Sequence, residues 1–202
     1  MVKIVGVMNR IRNIVSSDIL LKIYNSLILS HLHYGILCWG FSRNKLFRLQ
    51  KKAIRVIAKQ KYNAHTDPLF KKFKLLKVDD IFKLQCLKFL YKQQKGKTPS
   101  YFDNVFVNNN NNLIVTHTHN TRFRNRQQPI RTNREFTKNT IRYFIPNLLA
   151  ELDTNLKNRM TTHSLQSFKN SLKKSYIAQY QSICLKPRCY VCSSYSIASS
   201  LI

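Results

Sequence analysis

The sequence predicts a mainly α-helical protein, an irregular helical bundle joined by a flexible basic linker to a small C-terminal helical module. Three observations carry that expectation. Apolar residues recur at spacings of three and four in segment after segment, the period of helices with one buried side. Capping residues stand at the boundaries of those segments, with Ser17 before Asp18 and Gly96 and Pro99 after a long periodic run. The periodicity then breaks at Asn108–Asn112, which opens a stretch without any acidic residue as far as Arg134.

Taken in order, residues 1–15 form a basic amphipathic segment with Ile4, Val7, Met8, Ile11, Ile14 and Val15 as its apolar stripe. Ser17 is the expected N-cap of the next helix, with Asp18 in the first turn where a carboxylate meets the helix dipole. That helix, with Ile19, Leu20, Ile23, Tyr24, Leu27 and Ile28 on a broad face, is expected to be the most buried one. Tyr34–Gly40 ends it in a tight connection around Trp39, the only tryptophan.

The chain is organised around the segment that follows, residues 43–61 (RNKLFRLQKKAIRVIAKQK), with Ser42 as its cap. Leu46, Leu49, Ala53, Ile54 and Ile57 make an apolar stripe, and Arg48, Lys51, Lys52, Arg55 and Lys59 make a cationic one. No Asp or Glu lies between Asp18 and Asp67 to neutralise the second stripe. Thr66 or Asp67 then caps a short helix at Pro68, a good first helical residue. Val78–Gln94 is a further helix, with Ile81, Leu84, Leu87, Leu90 and Tyr91 inward and Lys83, Lys88 and Lys92 outward.

Residues 107–134 read as a linker or arm of low hydrophobicity and high positive charge, carrying Arg122, Arg124, Arg126, Arg131 and Arg134. Order is expected to resume near Phe136. Ile141, Tyr143 and Ile145 alternate as in a short strand, and Leu148, Leu149 and Leu152 suggest one or two helical turns. Thr161 or Thr162 caps a last helix through Gln179, with Leu165, Phe168, Leu172 and Tyr176 on one face. The expected divisions are thus 1–106, 107–134, 135–180 and a tail over 181–202.

Charge narrows the function. Lys and Arg number 35 against 8 Asp and Glu, a formal net charge of +27. A globule so charged repels itself unless a polyanion is near. Nucleic acid is the commonest such partner, because phosphate contacts release counterions, and an anionic membrane surface is the alternative. No apolar run approaches the length needed to span a bilayer, and no signal peptide is evident, so a nuclear or cytoplasmic protein is expected. The sites expected to bind nucleic acid are Arg48, Lys51, Lys52, Arg55 and Lys59, with Arg122, Arg124 and Arg126 in the arm. Phe47, Tyr62, Phe70, Phe73 and Phe123 lie among the cations as stacking platforms.

Other chemistry is weakly signalled. Asp79–Asp80 is the only acidic pair, and a helix start explains it better than a metal site does. Cys184, Cys189 and Cys192 supply three thiolates where structural zinc needs four ligands. His31/His33 and His117/His119 have no carboxylate or cysteine nearby, and Cys38 and Cys86 sit in apolar contexts where they are expected to pack. The four glycines form neither a dinucleotide fingerprint nor a P-loop, so no cofactor is expected.

The order of segments IYNSLILSHLHYGILCWG, LFRLQKKAIRVI, AHTDPLFKKFKLLKVDDIFKLQCLKFLYK, HNTR and SLQSFKNSLKKSYI resembles the region C-terminal to the palm in non-LTR (LINE-type, jockey-like) retrotransposon reverse transcriptases. The likeness covers residues 3–180. It implies that residues 1–106 are a thumb-like, post-palm helical domain that helps to hold an RNA/DNA hybrid or duplex. That family's catalytic aspartates lie in an aromatic-Ala-Asp-Asp hairpin with an upstream Asp, neither of which occurs here. Val78-Asp79-Asp80 matches the helix start after LLK instead. YFIPNLLAEL departs from the family, which carries a Gly-Pro and a Trp-Asn-Ser-Leu-Pro run there. The resemblance therefore implies a non-catalytic nucleic-acid-binding fragment of an RNA-directed DNA polymerase. The alternative is an orphan module that packs on a palm-bearing polymerase chain.

Overall fold

A computed structural model describes residues 1–40, 43–102, 133–134 and 140–180. It is mainly α-helical, and no strand occurs among the described residues. The Asn/Arg-rich arm up to residue 132, the cap assigned to Ser42 and the tail with its three cysteines lie outside the described residues. The chain forms two compact units: Met1–Ile36, Ser42–Ile81 and Lys173–Ile202 make the first, and Leu37–Phe41 with Phe82–Leu172 make the second.

The first unit begins with α1 (Val2–Ile11), whose buried residues are Val5 and Met8. This differs from the expected stripe: Val7 and Ile14 are exposed. The helix stops at Ile11, and the amides of Ile14 and Val15 close a turn on the Ile11 carbonyl, so the last two members of the stripe leave the helical register. Next come α2 (Ser17–Ile23), a π-helical stretch (Tyr24–Leu29) and α3 (Ser30–His33). The N-cap is Ser16 and not Ser17: Ser16 is extended at ψ 159°, its carbonyl accepts from Leu20 and its hydroxyl from the Ile19 amide. Ser17 already has helical geometry.

The π-helical stretch has a packing reason. Leu20, Tyr24, Ile28 and Leu32 are all fully buried, a spacing of four along one helical run. In an α-helix such a row drifts by roughly 40° at each step. A stretch with i→i+5 bonding is wound more slowly and turns the row back toward one side. Ser26 and Ser30 bond back to the carbonyls of Ile23 and Ser26, within and beside this stretch. Gly35, at φ +62°, reverses the chain after Tyr34 and leads into α4 (Ile36–Trp39).

The helix α5 (Arg43–Ile57) packs on α1, on α2 and on α6 (Asp67–Lys72). Ala53, Ile54, Val56 and Ile57 are buried, and so is Gln50, fully. Gln50 donates from Nε2 to the Tyr24 hydroxyl at 2.9 Å and to the Leu76 carbonyl at 2.8 Å, and its Oε1 accepts from the Val78 amide at 2.9 Å. Val78 is the first residue of α7 (Val78–Gln94), where a backbone N–H has no intrahelical partner. Tyr180 completes this start: its hydroxyl accepts from the Lys77 amide and donates to the Asp80 carboxylate.

The Val78–Gln94 bounds agree with the sequence, but α7 is more buried than expected. No residue from Val78 to Tyr91 is exposed, so α7, and not the helix after Ser16, is the most buried. Phe82 and Cys86 are buried as well as the inward set, which leaves Lys83 and Lys88 half-buried. Burial lowers the Lys88 pKa first, and the neighbouring Lys169 and Lys92 add to that.

In the second unit, Phe82 and Phe144 meet edge-on at 4.8 Å and Phe89 and Phe102 at 5.2 Å. A Cβ on Gly40 would lie 2.5 Å from the Phe82 ring, so glycine is required for that approach. The expected strand at Ile141, Tyr143 and Ile145 is instead α8 (Ile141–Glu151), which contains Pro146. Its buried residues, Ile145, Leu148 and Leu149, follow the helical period, Leu152 is buried just beyond its end, and the Asn147 side chain donates to the Tyr143 carbonyl beside the proline. A separate helix, α9 (Thr154–Thr162), stands where the sequence suggested only a cap. The last helix, α10 (Leu165–Ala178), is capped by Ser164, whose hydroxyl accepts from the Ser167 amide. Phe168, Leu172 and Tyr176 are buried on it as expected.

Burial pushes the Tyr24 hydroxyl up from 10.0 to about 12, and the bond from Gln50 opposes this in part. Tyr180 is shifted in the same direction, by burial and then by its bond to Asp80. A tyrosine that stays protonated in the folded chain binds more protons than its unfolded counterpart above pH 10. Stability is therefore fully present below pH 10 and falls as pH rises toward 12, by about 1.4 kcal/mol per pH unit for Tyr24. Urea unfolding across that window is expected to show the fall, and Tyr24→Phe should make it shallower while lowering stability at neutral pH.

Candidate functional site

The two stripes of α5 separate as the sequence indicates, but the cations do not form one uniform surface. Arg48, Lys52 and Lys59 are exposed, and Lys51 and Arg55 are half-buried. The Lys51 ammonium lies 4.3 Å from the centre of the Phe47 ring, a cation–π contact. Arg55 donates from Nε to the Ala64 carbonyl at 2.7 Å, so it ties the connection after α5 to the helix. Burial lowers its pKa from the usual value, and it remains a cation because a guanidinium holds its proton far above neutrality. Arg122, Arg124 and Arg126 lie outside the described residues.

Lys59 is no longer on the helix. It occupies the left-handed region at φ 54°, where the Gln60 amide reaches the Arg55 carbonyl and its own amide reaches that of Val56. This is the Schellman ending, with lysine at the position that favours glycine. Lys74 repeats it after α6 at φ 52°, and Gly96 repeats it after α7.

The aromatic residues also divide. Tyr62 is 89% exposed, and Phe47 and Phe73 are half-buried. Phe70 is fully buried between the rings of Phe47 and Tyr180 and cannot serve as a platform. Phe123 lies outside the described residues. Of the cysteines expected to pack, Cys86 is buried but Cys38 is exposed. His31 and His33 are on α3, a spacing that points them apart.

The carboxylates of the first unit are largely committed elsewhere. Asp79 accepts from Arg43 Nε at 3.1 Å, Asp67 from Lys77 Nζ at 2.8 Å, and Asp80 from Tyr180. Asp79 and Asp80 thus open α7, as read from the sequence, and each has a structural partner. Among the described residues no group of three or more His, Cys, Asp or Glu could hold a metal ion, and no helix is long and apolar enough to cross a membrane.

One concavity joins part of the cationic stripe to α1. A cleft of about 410 Å³ lies between α1, α5 and the connection that follows α5. Val2, Val5, Leu49 and Val56 supply its apolar wall, and Gly6 leaves it open on the α1 side. Arg12, Lys52 and Arg55 bring positive charge, Asn9 and Gln60 bring amides, and Tyr62 brings its ring. No described carboxylate lines it. Asn9, Arg12 and Gln60 are not among the residues that the sequence marks as binding sites. The one signal was that Arg12 falls outside the α1 apolar stripe, and nothing in the sequence brought α1 against α5.

Compared with known proteins, the chain matches no family model, no curated protein and no solved structure.

Lys59→Gly should stabilise the chain by about 1 kcal/mol, because it removes a side chain from the left-handed region. Urea unfolding checks this. An unchanged or lower midpoint would show that the Lys59 side chain contributes more than its backbone conformation costs.

Proposed function

We propose that the chain is a non-catalytic nucleic-acid-binding module that grips the backbone of a duplex or RNA/DNA hybrid through the outer side of α5. The observation that carries this reading is the charge imbalance. The chain has a formal net charge of +27, and in the first unit Asp67, Asp79 and Asp80 are held by Lys77, Arg43 and Tyr180. Arg48, Lys52 and Lys59 are meanwhile exposed on or just beyond a helix whose other side is buried. Each phosphate that such cations neutralise releases counterions. The order of motifs resembling the post-palm region of non-LTR retrotransposon reverse transcriptases supports the same reading. In this account the polymerase chemistry belongs to a palm that these residues do not form.

A second reading, docking of the module on a palm-bearing polymerase chain, draws on a different observation. Val2, Val7, Ile14, Ile19 and Leu27 are large apolar residues exposed in the first unit, the kind of surface that a protein partner covers.

Affinity for duplex DNA and for RNA/DNA hybrid should fall steeply with salt, with a log–log slope of about −0.9 per phosphate contacted on duplex DNA. Arg48→Gln/Lys52→Gln/Lys59→Gln should weaken binding and flatten that slope with helix content unchanged. Fluorescence anisotropy across a salt series measures both. Salt-insensitive binding, or no binding at low salt, would reject the proposal.

A further inference from the structure

We propose that the cleft between α1 and α5 receives a single nucleotide unit, its phosphate among Arg12, Lys52 and Arg55 and its base against the apolar wall and the Tyr62 ring. The inference rests on the nucleic-acid reading and goes beyond it, from backbone contact along α5 to a defined pocket for one unit of a strand or its end.

Size and chemistry select this ligand. A cleft of about 410 Å³ lies in the range of small-molecule sites, which combine apolar walls with a few placed polar groups. Arg12, Lys52 and Arg55 all line it and no described carboxylate does, which favours a ligand that brings negative charge. Arg55 is half-buried and spends its Nε on Ala64, and a guanidinium offers two further nitrogens in a fork that suits phosphate.

The remainder of the lining separates a nucleotide from other anions. Gln60 carries a donor and an acceptor, and Asn9, whose Oδ1 accepts from Arg12, keeps its amide donors, groups that suit a base edge. Tyr62 is 89% exposed, so its ring is open to stacking. A fatty acid would use the apolar wall but leave most of the cationic charge unmatched, with Arg12 held, among the described residues, only by the Asn9 Oδ1 that accepts from it at 3.5 Å. Inorganic phosphate would use the cations and leave the wall wet. Gly6 supplies a way to test the space: it lines the cleft, and a Cβ added there meets nothing within 4 Å.

The test titrates the full chain with a nucleoside 5′-monophosphate, with the uncharged nucleoside and with inorganic phosphate, read by calorimetry. The monophosphate should saturate one site and bind about tenfold or more tightly than either half, because both sets of contacts are made together. Gly6→Leu should weaken the monophosphate by about tenfold or more while leaving helix content and duplex binding as they are. If Gly6→Leu fails to fold, Arg12→Gln takes its place with the same expected loss of the monophosphate. Binding of the monophosphate no tighter than phosphate, or unchanged in the variant that folds, overturns the proposal. Duplex binding without monophosphate binding rejects the cleft alone, and failure of both rejects the broader reading as well.

Discussion

The first unit depends on Gln50. A polar side chain with no solvent contact is destabilising unless its hydrogen-bonding groups are matched. Gln50 is matched on three sides: the Tyr24 hydroxyl, the Leu76 carbonyl and the Val78 amide. Those partners lie in the π-helical stretch, in the irregular segment just before α7 and at the first residue of α7. One amide group thus fixes α5 against two other segments and supplies the acceptor that α7 lacks at its N-terminus. Its replacement by an apolar residue of similar size would leave a hydroxyl, a carbonyl and an amide to find new partners, at about 1–3 kcal/mol for each one that stays unmatched.

That role explains why the division of α5 matters. With Gln50, Ala53, Ile54 and Ile57 held inward, helical geometry places Arg48 and Lys52 outside, whatever they bind. Arg55 lies at the margin and serves the fold through Ala64. Lys51 rests on Phe47. The cationic stripe is therefore part structural and part solvent-facing, and the residues available to a polyanion are fewer than the stripe suggests. The same helix lines the cleft with α1, so a single element shapes both proposed contacts.

The helical class, the bounds Val78–Gln94, the start of α5 at Arg43 and the buried Phe168, Leu172 and Tyr176 were legible in the sequence because periodicity and caps are local signals. What was not legible depends on neighbours. Gln50 looks like one more polar residue on an amphipathic helix, and only the approach of Tyr24 and Val78 makes it central. The stripe of α1 contains more apolar residues than its contact with α5 can bury, so the buried line had to be chosen by the partner. At Ile141–Ile145 a short alternation resembles a strand, and the helical spacing of Ile145, Leu148 and Leu149 prevails in spite of Pro146. The cleft needed residues from α1 and from the end of α5, and no local pattern joins them.

The most direct test of Gln50 as the organising contact is native-state hydrogen exchange at the Val78 amide. A first-turn amide normally exchanges quickly because no carbonyl of its own helix reaches it. Bonded to the buried Gln50 Oε1, the Val78 amide should instead exchange as slowly as the Ile54 amide in the middle of α5, and Gln50→Leu should remove that protection. Rapid exchange in the unaltered chain, at the rate of an open helix N-terminus, would contradict the account.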